Sequence, residues 1–373
     1  MTIVIKSDQA ATQSLGNTYG INGDLDFDVM LDFNRGDYVY RDSGQLKNIA
    51  LADAITLTRA SRATYKDRDN ITQVAEANQP RIHFMQDLGV QGLLLETSRE
   101  NLLTGTGTQT ITVTTAGSLQ ALALSVEGTG SATMSGGVEK LSTAKATAGN
   151  PQGALPIVGS GTASVTVTVT GSVTKLQLER TPTSTGGNYA STFMASGLTT
   201  RASDIAALSN LLAGKLGSTG TVVCQFAYQE RLVNGFAEST GVFSLEDSTK
   251  PKGGIYVIRA LANGSGDATQ KVTAVAPSTT TVEKINAMAS VANRKVTTAL
   301  IYDKGLDMAQ GVNGAIKDVT GSSTQLSPNR MTLGGGDAYS SGTGTAGAIL
   351  TRLAIYSRKL SKDELAKISS SWL

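Results

Sequence analysis

The sequence predicts a mainly β protein built from several modules, and three observations lead there. Charged residues are 17% and aromatics 5% of 373, with 41 Gly and only 7 Pro. That balance suits short strands joined by Gly/Ser/Thr turns, since helices want more Glu, Lys and Leu. Apolar residues recur at period two along many segments. The length also exceeds what one hydrophobic core usually supports, so two or three domains are expected.

Charge and cysteine usage narrow the function classes. Thirty-two basic and 30 acidic residues leave a formal charge of +2, which gives no field for nucleic acid or an anionic membrane. Cys224 is the one cysteine, so no intrachain disulfide forms and packing or oligomerisation must supply stability. The opening MTIVIKSDQAATQ has too short an apolar run for a signal peptide, and no stretch is long enough to span a bilayer. The expectation is a soluble product made in the cytosol.

Taken in order, Ile3, Val4 and Ile5 suggest a short strand, and Leu25, Phe27, Val29, Leu31 and Phe33 place five apolar residues on one strand face. Arg35-Gly36-Asp37 reads as a turn between strands. In PRIHF, Ile82 and Phe84 alternate with Arg81 and His83, which places the single histidine on the polar face. Leu93, Leu94 and Leu95 fit a short buried strand.

Residues 104–185 alternate strictly in places. Val165, Val167 and Val169 oppose Ser164, Thr166, Thr168 and Thr170, and Leu122, Leu124 and Val126 share a face. A parity shift after Gly171 predicts a bulge or turn. This stretch reads as a small antiparallel β-sandwich. Ile205, Leu208 and Leu212 then fall at helical spacing, stopped by Gly214. In TVVCQFAY, Val222, Cys224, Phe226 and Tyr228 share a face, which makes Cys224 a core residue rather than a nucleophile. Near the C-terminus Ser361 and Glu364 form a capping box, with Leu360 and Leu365 as its staple.

Catalysis looks poorly supplied. The only histidine lies far in sequence from any serine or cysteine candidate. Glu246 and Asp247 are adjacent, so on a strand they point to opposite faces. Gly342-x-Gly344-x-x-Gly347 lacks the strand–helix context of a dinucleotide site, and Asn263-Gly-Ser is a sequon without a secretory route. No cofactor is expected. Loop carboxylates Asp303, Asp307 and Asp337 leave room for calcium, without specificity.

The tetrapeptide Thr-Arg-Ala-Ser occurs at 58–61 and again at 200–203. The first copy, with Ala77–Arg81 and Gly92–Leu102, resembles a module of tailed-bacteriophage structural proteins. The block ending VTKLQLER…TTRASDIA is similar to the carbohydrate-module-like sandwich that follows in those proteins. KVTTALIYDKGLDMAQGVNGAIK, with an Asn313-Gly314 hairpin, RMTLGGGD and LTRLAIYSRKLSKDEL resemble a laminin G or concanavalin A-like jelly roll closed by a short helix. The resemblance divides the chain into a docking segment (1–57), a motif-rich module (58–103), the sandwich (104–199) and the jelly roll (200–373). The two tetrapeptides then mark joints between modules.

What the resemblance implies is a virion structural protein, assembled in the host cytoplasm, of tail-fibre, tail-tip or head-fibre type and without enzymatic activity. Its N-terminal part would contact other virion proteins, and a homo-oligomer, commonly a trimer, is expected. Host-surface glycan is the expected ligand of the jelly roll, with Asp337 and Tyr339 offering a carboxylate and a stacking ring. The alternatives are a non-adhesive capsid decoration protein and a surface-glycan hydrolase.

Overall fold

The structure, a computed structural model, describes residues 26–115, 122–140, 145–149, 151–156, 161–180, 191–195, 198–228, 239–247, 254–261, 270–277, 282–285, 295–303, 308–319, 327–334 and 348–372. Its named strands pair antiparallel, and the period-two runs explain which faces they bury. Strand Thr219–Tyr228 lies between Lys295–Asp303 and Ala348–Tyr356 within a ten-stranded sheet. Val222, Cys224 and Phe226 enter the main core, as their parity predicts. Val223 turns to the opposite face, where Ile301, Ala354 and the C-terminal helix cover it.

A seven-stranded sheet packs on the first face of that sheet. It runs Val282–Ile285, Gln270–Pro277, Gly254–Leu261, Ser239–Glu246, Arg330–Leu333, Ile205–Leu208, Ile55–Thr58. Phe243, Leu245, Met331 and Leu333 meet Leu353 and Ile355 across the interface. Helix Lys362–Ser371 covers the other face. Its N-cap is reciprocal: Glu364 N donates to Ser361 Oγ (3.2 Å) and Ser361 N donates to Glu364 Oε2 (2.7 Å). Leu360 and Leu365, the predicted staple, are both buried there.

Strand Val29–Asp32 pairs with Ala348–Tyr356 in the ten-stranded sheet. Val29, Leu31 and Phe33 share the main core, but Phe27 and Met30 are buried in the core on the helix side. The strand is therefore covered on both faces rather than half-buried, because the terminal helix supplies a second layer. Arg35-Gly36-Asp37 lies at the turn into Asp37–Asp42, with Gly36 N donating to Asp32 O (2.8 Å) at φ +77°. Asn313 and Gly314 make the predicted hairpin turn, both at positive φ. Ile3–Ile5 and Leu25 lie outside the described residues.

The helix expected from Ile205 to Leu212 is mostly a strand. Ile205–Leu208 pairs with Ile55–Thr58 on one side and Arg330–Leu333 on the other, leaving one helical turn at Asn210–Ala213. Ile205 is 42% exposed. Two neighbouring strands satisfy its backbone groups, and that outweighs the apolar spacing.

Between these segments the chain builds the smaller sandwich. Strands Gln109–Thr115, Gly161–Thr170 and Ser131–Gly136 form a three-stranded sheet, and Leu122–Gly128 and Val173–Arg180 belong to a six-stranded one. Val165 and Val167 pack with Leu122, Leu124, Leu176 and Leu178. The parity shift is the turn at Gly171 (φ +77°), where the chain leaves one sheet for the other. Sheet membership thus cuts across motif order. Strands from 29–58 and 82–95 sit in the same two sheets as strands from 205–356, while strands from 99–201 form the sandwich.

Strand Val90–Leu95 is wedged against Ala348–Tyr356, and Leu93, Leu94 and Leu95 are buried as predicted. A Cβ on Gly92 would collide with the Leu350 carbonyl oxygen and lie 2.7 Å from Ile349 Cγ2. Gly92→Ala is expected to destabilise by about 1–3 kcal/mol, as overpacking does. Gly105→Ala, whose Cβ would meet only Gln109 Nε2 at 3.9 Å, should melt close to wild type. Thermal unfolding of the pair checks this.

Candidate functional site

Polar chemistry gathers in two adjoining places, a buried joint and a cleft beside it. The joint forms because Ile205–Leu208 runs antiparallel to Ile55–Thr58, so the tetrapeptide after one strand meets the tetrapeptide before the other. Ala202 N donates to Ser61 Oγ (2.9 Å). Arg59 Nη1 lies 2.8 Å from Asp204 Oδ1, and its other donors reach the carbonyls of Ser61 (2.8 Å), Glu76 (2.7 Å) and Gln79 (3.0 Å). Arg201 lies 2.9 Å from Glu96 Oε2 and donates to the Thr97 carbonyl (2.7 Å). The two copies are two halves of one joint.

The other motif residues converge there. Arg81 bridges Glu96 (2.7 Å) and Asp204, and donates to the Thr64 carbonyl (2.8 Å). Asn78, in the left-handed region at φ +61°, accepts from Arg59 N through Oδ1 (2.9 Å) and donates its own N–H to the Arg59 carbonyl (3.0 Å). Thr192 donates N–H (2.8 Å) and Oγ1 (2.7 Å) to Glu96. Asn101 Oδ1 accepts from Leu178 N (3.1 Å) within the sandwich itself. Arg59, Arg81, Arg99 and Arg201 are buried with Glu96, Glu179 and Asp204.

Burial favours the neutral form of Glu96, but the guanidiniums of Arg201 and Arg81, and the Thr192 bonds, hold its carboxyl far below the usual range. Burial raises Glu179 above its ordinary value, against Arg99, Arg201 and the Ser191 bonds.

The cleft opens between the ribbon Ala63–Lys66/Thr72–Ala75 and the sandwich, with a volume of about 340 Å³. Glu127 on the sandwich lies 2.8 Å from Lys175 Nζ and 3.5 Å from Lys66 Nζ. Lys175 Nζ sits 5.5 Å from the centroid of the Phe193 ring and donates to Thr72 Oγ1 (3.4 Å). His83, predicted on a polar outer face, is 8% exposed and lines this cleft, accepting from Lys66 N through Nδ1 (3.2 Å). The parity of Arg81 and His83 faces inward because Glu96 and Asp204 neutralise the arginine. Both partners lie outside the strand and Asp204 is 123 residues away, so alternation alone pointed the wrong way.

The remaining candidates scatter. Cys224 is buried, and burial pushes its thiol up, which suits a core residue. Glu246 accepts from Ser244 Oγ (2.6 Å) and Thr332 Oγ1 (3.0 Å) beside Arg330. Asp303 pairs with Lys359 at 3.3 Å. Asp307, Asp337, Tyr339, Asn263 and Gly342–Gly347 lie outside the described residues. Among the described residues no three His, Cys, Asp or Glu side chains group as metal ligands, and no helix is long and apolar enough to cross a membrane.

No family model and no curated protein sequence matches the chain. Solved structures match part of it. The leech intramolecular trans-sialidase is 18% identical over 42% of this chain and 24% of that one, with a TM-score of 0.32. The Ruminococcus gnavus IT-sialidase CBM40 is 18% identical over 42% of this chain and 86% of that one, also at 0.32. A SAP-like pentraxin from Limulus polyphemus is 14% identical over 41% and 70%, at 0.30. The chain thus spans about a quarter of the leech enzyme, and likenesses this partial carry nothing into the function.

Glu96→Gln is expected to destabilise by about 3–5 kcal/mol at neutral pH, because it leaves buried guanidiniums short of charge. A depressed carboxyl stabilises fully above its unfolded value, near 4.5, and loses that contribution as pH falls. The gap between wild type and variant should therefore shrink below about pH 4. Denaturant unfolding at stepped pH measures it.

Proposed function

We propose that this protein is a structural subunit of a tailed-bacteriophage particle, a fibre or a head or tail decoration, and that it performs no catalysis. One observation carries the reading. The residues behind the resemblance to such proteins, namely Arg59, Ser61, Asn78, Arg81, Glu96 and Arg201, meet at a single joint rather than spread over a surface. Shared residues with an architectural task fit a protein whose work is architectural.

The joint fixes the sandwich to the larger body through groups that must stay paired, and a particle component has to transmit force without hinging there. The described edge strands Gln45–Asn48 and Ala315–Val319 end the ten-stranded sheet. Edges of this kind are commonly closed by symmetric association, which supports a homo-oligomer such as a trimer. Contact with other particle proteins belongs to the N-terminal part of the chain.

Immunogold labelling of purified phage particles, with antibody raised against the full chain, tests this. The expected result is label at a fixed position on head or tail. A chain that is produced during infection yet missing from purified particles overturns the reading.

A further inference from the structure

The cleft beside the joint has a chemistry of its own. Its lining combines half-buried rings of Tyr65 and Phe84 with the buried ring of Phe193, and sets them beside Lys66, Lys175, Glu127 and Asp87. Two ammonium groups and two carboxylates leave it without net charge, so nothing there selects a strongly anionic ligand. Its lining residues lie in strands and turns, with no helix N-terminus to cradle a phosphate. A volume near 340 Å³ lies at the small end of ligand pockets, which run roughly 300–1,000 Å³.

We infer that this cleft binds a neutral saccharide residue. A sugar hydroxyl both donates and accepts, so neighbouring hydroxyls are matched by a carboxylate next to an ammonium. Glu127 supplies the acceptor, and Lys175 at 2.8 Å and Lys66 at 3.5 Å supply donors. These three side chains are each between about a quarter and two fifths exposed, enough to reach a ligand without rearrangement. The C–H face of a pyranose carries slight positive charge and settles on the negative face of an aromatic ring, a place Tyr65 or Phe84 provides. The buried pairs around Thr64 and Thr192 hold the inner end of the cleft rigid, which limits the ordering cost of binding. The site lies well away in sequence from the Asp337–Tyr339 loop, and it does not rest on the particle reading.

Saturation-transfer NMR on the purified full chain decides the matter. The probes are the methyl glycosides of glucose, galactose and N-acetylglucosamine, with glucuronate and inorganic phosphate as anionic comparisons, all at millimolar concentration. At least one neutral glycoside is expected to show transfer. Glu127→Gln should weaken that binding tenfold or more. Thr72→Trp, which fills the cleft and gives up the 3.4 Å bond from Lys175 Nζ to Thr72 Oγ1, should abolish it, so the idea stays testable if the first variant unfolds. Ile205→Ser, on an exposed strand residue outside the cleft, should bind as wild type. Silence from all neutral glycosides, binding confined to the anions, or neutral binding indifferent to Thr72→Trp overturns the inference.

Discussion

Arg81 sits fully buried between Glu96 and Asp204, and the architecture around it depends on that arrangement. A guanidinium in a protein interior is tolerable only when carboxylates and carbonyls surround it. Here the carboxylates are Glu96, just past strand Val90–Leu95, and Asp204, just past the second tetrapeptide, so the site is complete only when both segments are in place. Arg59 and Arg201 repeat the bargain on either side. Each tetrapeptide contributes an arginine whose charge is met by a carboxylate from elsewhere in the chain, Arg59 by Asp204 and Arg201 by Glu96.

This requirement fits the topology. The larger body contains strands from before and after the sandwich, with Val29–Asp32 and Val90–Leu95 both paired to Ala348–Tyr356. The sandwich is thus an insertion, and its two connections to the body leave and return beside one another. Arg99 and Arg201 are register partners at that point. A hydrophobic contact would hold two such strands together, but it is non-directional. Paired charges with fixed hydrogen-bond geometry set the angle at which the insertion leaves.

The cleft is a by-product of the same joint. Thr64 gives its carbonyl to Arg81 and Thr192 gives two donors to Glu96, and both residues also line the cavity. Ribbon and sandwich are held at a set distance at the inner end, while Lys66, Lys175 and Glu127 span the gap between them. Rigid support below and half-exposed polar groups above are what a small binding site needs.

Local physics made much of the chain legible from its sequence. Period-two runs located the strand of Val222, Cys224 and Phe226, the sandwich core of Val165 and Val167, and the turn at Gly171. The Ser361–Glu364 spacing located the terminal helix. Those features depend on neighbours a few residues away. The sequence also carried the repeated tetrapeptide, though not its meaning. The pairings of Arg59 and Arg81 with Asp204, and of Arg201 with Glu96, are settled across separations of more than a hundred residues. The same distance hid the inward turn of His83 and the strand at Ile205, where two neighbouring edges outbid helical spacing. Sequence alone determined the β architecture and its punctuation, because alternation and capping are local. Only the tertiary structure decided where the charges go, because a buried ion is stable solely where folding has already brought its partner.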